Sequence, residues 1–197
     1  VEAGAPVRVR VAGVEEPIEA DAVLLAMGPW TARAATEWGL RMPPIYGTKY
    51  HSVLLKTERV LSQAVFVSGL GDPEVYPRPD GNSYICGFPD SPTMVTEVPG
   101  SVEVRSEVCD RLVSAARAVS SEFESAEVTG TSSCYLPVAA DGAPVIGRMP
   151  GSEGIFVATG NSCWGILTAP ATGLAVAELM LDGSAASINL DPFKPER

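Results

Sequence analysis

The chain has 197 residues, 46% of them hydrophobic and 19% charged, a balance that describes a folded globular protein with a core and excludes a disordered one. Its formal net charge of −10 leaves no basic patch to neutralise phosphates, which argues against nucleic acid and anionic membrane surfaces as partners. No stretch reads as long enough to span a membrane, the apolar run Ala22 to Met27 being far too short.

In chain order, residues 7–11 alternate Val and Arg and predict a half-exposed strand. A turn over Gly13 to Pro17 leads into a second short strand from Ile18. Residues 22–27 predict a buried strand, ended by Gly28 and Pro29. Residues 31–38 read as a short helix stopped at Gly39. Four strand-like runs follow at 46–56, 64–68, 75–76 and 83–86, with turn signals at 71–73 and at Pro79-Asp-Gly-Asn82. The second of these signals is that of a tight hairpin. Val104, Val108, Leu112, Ala115, Ala116 and Val119 recur at helical spacing and predict a helix over 102–119 with Ser101 as its cap. Residues 128–138 are strand-like again, so the central stretch reads as an antiparallel sheet with a helix.

Four cysteines, Cys86, Cys109, Cys134 and Cys163, are widely spaced without a C-x-x-C pair. With His51 as the single histidine they offer no metal cluster, and they read as free thiols of a reducing, cytoplasmic compartment.

The most informative run is 155–173. Ile155 to Ala158 predicts a buried strand, Gly160 and Gly165 bracket a turn, and Thr168 is placed to cap a helix that has Pro170 in its first turn. That helix reads to about Leu181 and ends at Asp182-Gly183, with Gly165, Ala169, Gly173 and Ala177 on one face. The start of a helix leaves N–H groups unpaired and carries partial positive charge, which suits a carboxylate, a phosphate or an electron-rich carbonyl. Taken alone, the same residues also fit an ordinary connection from a strand to a helix. The polar tail 190–197 reads as a surface strap.

Three segments narrow the choice: Ala20-Asp-Ala-Val-Leu-Leu-Ala-Met-Gly-Pro-Trp30, Asp141-Gly-Ala-Pro-Val-Ile-Gly-Arg148, and the run 155–173. In this order they resemble segments of the D-amino-acid oxidase-like superfamily of FAD-dependent oxidoreductases, the group of glycine oxidase and sarcosine oxidase. Cys134-Tyr-Leu-Pro137 and Ala169-Pro-Ala-Thr-Gly173 extend the likeness, which covers about Asp21 to Phe193. The resemblance implies α/β plus α+β architecture: the C-terminal part of a two-domain, Rossmann-like FAD-binding oxidoreductase with an antiparallel-sheet substrate domain. Residues 1–42 and 139–197 would belong to the FAD-binding domain and 43–138 to the substrate domain. The family's G-x-G-x-x-G turn is not found, since Gly69-Leu-Gly71 runs into Asp72-Pro73. The chain is therefore expected to be the C-terminal portion of a longer flavoprotein, with the N-terminal part of that protein as partner, or else a truncated, non-catalytic fragment.

The resemblance also implies site residues. Gly28 and Trp30 match a turn beside the FAD chain, and Gly147 matches a segment running under the flavin. Gly160, Asn161, Ser162, Cys163, Trp164, Gly165, Ile166 and Leu167 match the run that wraps the flavin ring, where backbone N–H groups favour the reduced, negatively charged form. Asn161 stands where the family commonly has His, and Met27 where it has a smaller residue. Leu136 stands where amino-acid oxidases carry a carboxylate-binding Arg, so a simple α-amino acid is a poorer expected substrate than another amine. Tyr135 is a candidate to line the substrate site and equally a structural tyrosine of the sheet. Lys49 is a second candidate on the substrate side, with Lys49 or Arg148 the expected substitutes for the missing cation. His51 reads as structural. The expected reaction is hydride transfer from a C–N bond of a small amine-like molecule to FAD.

Overall fold

The structure, a computed structural model, describes residues 6–197. Among these the elements follow in the order β1 (Val7–Val9), β2 (Ile18–Ala20), β3 (Val23–Leu25), α1 (Thr31–Glu37), β4 (Ile45–Lys56), β5 (Val65–Phe66), β6 (Glu74–Pro77) and β7 (Asn82–Gly87). Then come α2 (Ser106–Val119), β8 (Glu127–Ala139), β9 (Val145–Arg148), β10 (Ile155–Thr159) and α3 (Gly165–Asp182). The chain divides into two compact units: the part up to Gly47 together with Leu136–Arg197, and Thr48–Tyr135. The mixed α/β architecture is the one the sequence predicts.

In the first unit, β1 and β2 form an antiparallel ribbon in which Arg8 stands opposite Glu19 and bonds to it at 3.0 Å. A three-stranded sheet has the order β3-β10-β9. β10 runs parallel to β3, with Val23 opposite Ile155, and antiparallel to β9. As the central strand, β10 buries Ile155, Phe156 and Val157. Val7, Leu25, Ile45 and Val145 close one core around it, joined by Trp38, Leu40 and Met42. Only Val23–Leu25 of the predicted 22–27 strand forms, and it is not fully buried: Leu24 is 37% exposed on this edge strand.

The helix α3 packs through Ala175 and Val176 with Ile146 and Leu190 in a second cluster. It ends at Gly183, whose φ of +81° is the left-handed cap that glycine adopts freely. Two expectations are corrected here. The helix starts at Gly165, so Pro170 lies inside it rather than in its first turn, and Thr168 is not its cap. Furthermore, Ser162–Asp182 is long and apolar enough to cross a membrane by length and composition, with a mean hydropathy of 1.4. The sequence places this helix only from Thr168 onward, and the added length comes from the 3-10 turn Ser162–Trp164 and the first residues of α3. Its apolar side chains are only partly covered, Ile166, Leu174 and Leu181 being exposed.

The tail is held down. The Arg197 guanidinium bonds to both carboxylate oxygens of Asp141, at 2.7 and 3.1 Å, and to the Ala143 carbonyl at 2.8 Å.

The second unit is a five-stranded sheet in the order β5-β6-β7-β4-β8. β4 alternates, so Val53 and Leu55 join Val75 and Ile85 on one face and pack against Cys109, Leu112, Ala116 and Phe123. Each fully buried Leu or Phe of this cluster contributes roughly 1.5–3 kcal/mol. The hairpin between β6 and β7 forms as predicted: the Asp80 carboxylate accepts from the Asn82 N–H at 2.8 Å, and Gly81 has a φ of +84°.

The predicted helix over 102–119 is shorter at its start, beginning at Ser106 without a side-chain cap. Arg105 is extended instead, because it is pinned. Its guanidinium bonds to both Asp90 oxygens at 2.6 and 2.8 Å, and its backbone N–H donates to His51 Nε2 at 3.1 Å. His51 is fully buried, as its structural reading requires.

Candidate functional site

The parallel strands β3 and β10 lead into two turns that are tied to each other. After β3 a 3-10 turn, Gly28–Trp30, begins at Gly28, whose φ is +52°. After β10 comes Gly160, with φ +79°. A Cβ at Gly160 would reach the Val145 backbone N only at 3.4 Å, so it is the backbone conformation that calls for glycine there. Between the turns, the Thr159 hydroxyl donates to the Gly28 carbonyl at 2.7 Å.

The next residues build the entrance to α3. The Asn161 side-chain amide donates to Thr168 Oγ1 at 2.9 Å, and the Thr168 hydroxyl donates to the Trp164 carbonyl at 2.9 Å. Because the Thr168 proton is used on Trp164, its oxygen can only accept from Asn161, which fixes the orientation of the amide. Among the described residues, Asn161 Oδ1 is left as a buried acceptor with no partner. Ser162 has a φ of +50°, a conformation that costs a non-glycine residue energy. No side chain caps α3, so its first N–H groups and its positive end open onto this turn.

These elements enclose a groove of about 360 Å3, with Leu24, Gly28, Asn161, Gly165, Thr172 and Gly173 in its wall. Gly165 has φ −54° and ψ −47°, ordinary helical values that demand no glycine. A Cβ there would meet only the Asn161 Cβ, at 3.9 Å, and a Cβ at Gly28 or Gly173 would meet nothing within 4 Å. The helical glycines thus leave open space that this chain's own packing does not use.

Of the residues singled out in the sequence, Gly28, Gly160, Asn161 and Gly165 come together in this groove. Ser162, Cys163, Trp164, Ile166 and Leu167 are outside its lining, on the turn and the first turn of α3; Ile166 is 95% exposed and Leu167 74%. Trp30 sits half-buried in the 3-10 turn, its backbone N–H bonded to the Met27 carbonyl at 3.1 Å. Gly147 has a neighbour within the chain that the sequence did not show. A Cβ there would strike Pro195 Cδ at 2.9 Å, so within this chain Gly147 makes room for the C-terminal tail.

The two substrate-side candidates belong to the second unit. Tyr135 is buried, and Lys49 is buried with its Nζ 3.7 Å from a Glu103 carboxylate oxygen. The Arg148 guanidinium lies 4.8 Å over the Phe156 ring in the first unit. Both expected substitute cations therefore already have partners. Thr159 and Thr168, which fix the groove's turns, were missed in the sequence. The available signal was a hydroxyl at the last position of a strand next to Gly160, and another at Thr168 where only a cap was considered.

The family described as FAD dependent oxidoreductase matches residues 2–179. The chain belongs to that family. Among its relatives, the protein named Putative oxidoreductase TDA3 of Saccharomyces cerevisiae is 34% identical over 185 residues, 88% of this chain and 34% of its own length. Putative oxidoreductase C1F5.03c of Schizosaccharomyces pombe is 35% identical over 188 residues, 91% of this chain and 47% of its own. The crystal structure of glycine oxidase from Geobacillus kaustophilus superposes with a TM-score of 0.79 at 28% identity, covering 92% of this chain and 47% of that one. This FAD-dependent oxidoreductase chain thus spans about a third to a half of the length of the relatives it matches.

Proposed function

We propose that the groove holds part of an FAD, and that this chain is the C-terminal portion of an oxidoreductase that oxidises a C–N bond of a small amine or amino-acid-like substrate. The observation that carries the reading is the pair of glycines in the groove wall, Gly165 and Gly173. Both sit in α3, where glycine costs about 1 kcal/mol relative to alanine, and neither is required by backbone angle or by neighbours within the chain. A ligand lying against the helix gives them a purpose. The unpartnered Asn161 Oδ1 supports the same reading, since a buried acceptor left unpaired costs about 1–3 kcal/mol and a flavin imide N–H is a donor suited to it.

Bound flavin supplies the hydride acceptor. The chain's part is to bind and polarise. Gly28, Gly165 and Gly173 allow close approach, and the positive end of α3 stabilises negative charge on an electron-rich carbonyl. Thr159 holds the two turns in register through Gly28.

The groove, at about 360 Å3, is at the small end of ligand sites and accepts only part of a dinucleotide. The remainder of the site is assigned to an N-terminal part of the same flavoprotein, which would also cover the exposed Ile166, Leu167 and Leu181. The greater length of the relatives supports this. In the same reading residues 1–42 and 139–197 serve FAD binding and 43–138 serve the substrate. The name glycine oxidase, carried by a structural neighbour, supports an amine substrate. Four free cysteines support a reducing, cytoplasmic setting.

Flavin content tests the proposal. The flavoprotein comprising this chain and the N-terminal part is expected to purify with bound flavin, and the 197-residue chain alone to retain little. Stoichiometric flavin on the short chain would contradict the shared site, and a folded but colourless longer protein would favour the non-catalytic alternative.

A further inference from the structure

In the second unit, the chain between β7 and α2 is a long loop whose two ends are pinned side by side. Asp90 stands at one end and Arg105 at the other, and the Arg105 guanidinium donates to both Asp90 carboxylate oxygens, at 2.6 and 2.8 Å. Each end is also fixed to β4. The Asp90 N–H donates to the Lys49 carbonyl at 3.0 Å, and the Arg105 N–H donates to His51 Nε2 at 3.1 Å. Arg105 is where the loop becomes helix. Its carbonyl accepts from the Val108 and Cys109 N–H groups at 3.2 Å, while its own N–H holds it to β4. Between the ends, the Ser133 hydroxyl lies 3.1 and 2.8 Å from the Val102 and Glu103 carbonyl oxygens. Lys49 Nζ lies 3.7 Å from a Glu103 carboxylate oxygen, and Met94 and Val98 are exposed.

His51 is the one fastener of this loop with a side chain that titrates near neutral pH. Its ring is fully buried, on the α2 side of β4 with Val53 and Leu55. To accept from Arg105, Nε2 must be bare, so the neutral ring carries its proton on Nδ1. Among the described residues that Nδ1 has no partner, and neither has Arg105 Nε. A second proton would fall on Nε2 and turn the acceptor into a donor facing the Arg105 N–H. The new charge would also be poorly placed. Lys49 of β4 and Arg105 oppose it, and Asp90 and Glu107 of α2 favour it less strongly. Glu103 already pairs with Lys49, and Gly87, opposite His51 on β7, brings no charge.

We propose that segment 90–105 is a pH-sensitive latch, closed on β4 while His51 is neutral and released, with the sheet and the rest of α2 still folded, when His51 takes up a proton. Release lets the charged ring reach water and parts it from the Arg105 N–H. The core of the unit does not depend on the segment. Val53, Leu55, Val75 and Ile85 pack against Cys109, Leu112, Ala116 and Phe123, all outside 90–105. Linkage sets the direction. Burial, then Lys49 and Arg105, hold the closed-state pKa below 6.5, and an opened ring returns to about that value. Closure is therefore fully stabilised above about pH 6.5 and weakens below it, by up to about ten-fold at pH 5.5. Every group named lies in the second unit, so the latch stands apart from the flavin reading.

Amide hydrogen exchange of the 197-residue chain, followed by NMR from pH 7.5 to 5.5 and corrected for intrinsic rates, tests it. The Asp90 and Arg105 amides report on the latch, and those of Ile85 and Leu112 on the core. Opening at Asp90 and Arg105 is expected to rise several-fold, at most about ten-fold, over this range. It should not respond to low concentrations of urea, because a local opening exposes little surface. Ile85 and Leu112 should exchange more slowly and accelerate with urea. His51→Gln keeps an acceptor for the Arg105 N–H without a titrating group and should remove the pH dependence. Should that variant fail to melt cooperatively, the unmodified chain decides. Its profile must bend near pH 6.5, where its single histidine titrates once opened. A flat profile, a bend elsewhere, the same profile in His51→Gln, or Asp90 and Arg105 amides that exchange only together with Leu112 overturns the proposal.

Discussion

Gly165 and Gly173 lie eight residues apart on α3, just over two helical turns, and both line the groove at the end of β3 and β10. Among the described residues, nothing beyond the helix's own backbone and the adjacent residues lies within 4 Å of a Cβ at Gly173. The helix therefore gives up stability at a position where its own fold asks for no glycine.

Gly173→Ala in the 197-residue chain is accordingly expected to raise stability by about 0.5–1 kcal/mol, the helix-propensity difference. Urea denaturation measures this. A destabilised variant would show that glycine at this position serves the helix's own packing, and the argument for a ligand against α3 would lose one of its two supports.

His51 gives a pH dependence with a definite sign. Burial lowers its pKa below 6.5, and Lys49 and Arg105 lower it further, against smaller opposing effects of Asp90 and Glu107. The folded state thus holds the ring neutral, accepting from the Arg105 N–H at 3.1 Å. A depressed folded pKa means that stability is complete above the unfolded value and falls as pH drops through it. Because His51 is the single histidine, the loss between about pH 7 and pH 5.5 should belong to it. His51→Gln, which keeps an acceptor without a titrating group, should flatten that limb of the urea midpoint curve; an unchanged slope would assign the dependence elsewhere.

The clasp of Arg197 on Asp141 makes a third prediction. Its hydrogen bonds hold the Asp141 carboxyl down at about 2. The clasp therefore persists above the usual carboxylate range and is lost only as pH falls toward that value. Arg197→Ala should lower the melting temperature by a few degrees. Asp141→Asn should cost less when added to it than alone, because the Arg197–Asp141 pair is already gone and only the bond from the Ala143 N–H remains to be weakened. Additive losses in the double variant would show that the two residues act independently.

Much of this fold was legible because it rests on local pattern. The Val-Arg alternation of 7–11 gave β1, and Pro79-Asp-Gly-Asn82 gave the hairpin that pairs β6 with β7. Misreadings arose where distant residues decide. Val104 keeps the helical spacing of α2, yet contacts of Arg105 with Asp90 and His51 hold that segment extended. Thr168 looked like a cap because it is a capping residue type with Pro170 placed for a first turn, but its hydroxyl serves the Trp164 carbonyl inside a helix already begun. Gly147 also makes room for Pro195, a neighbour from the far end of the chain that local pattern does not show. The stacking of Arg78 on Tyr84 depends on the strand register across the hairpin, which local pattern alone does not show.

The central claim, that the α3 groove holds the flavin, is tested most directly by flavin content in a Gly165→Val variant of the flavoprotein comprising this chain and the N-terminal part. The substitution suits the helical φ of −54° and brings Cβ no closer than 3.9 Å to another residue's side chain, so a cooperative melt should persist. The account predicts a folded protein stripped of flavin. A folded Gly165→Val protein with full visible flavin absorbance would contradict it and reduce the junction of β10 and α3 to an ordinary connection.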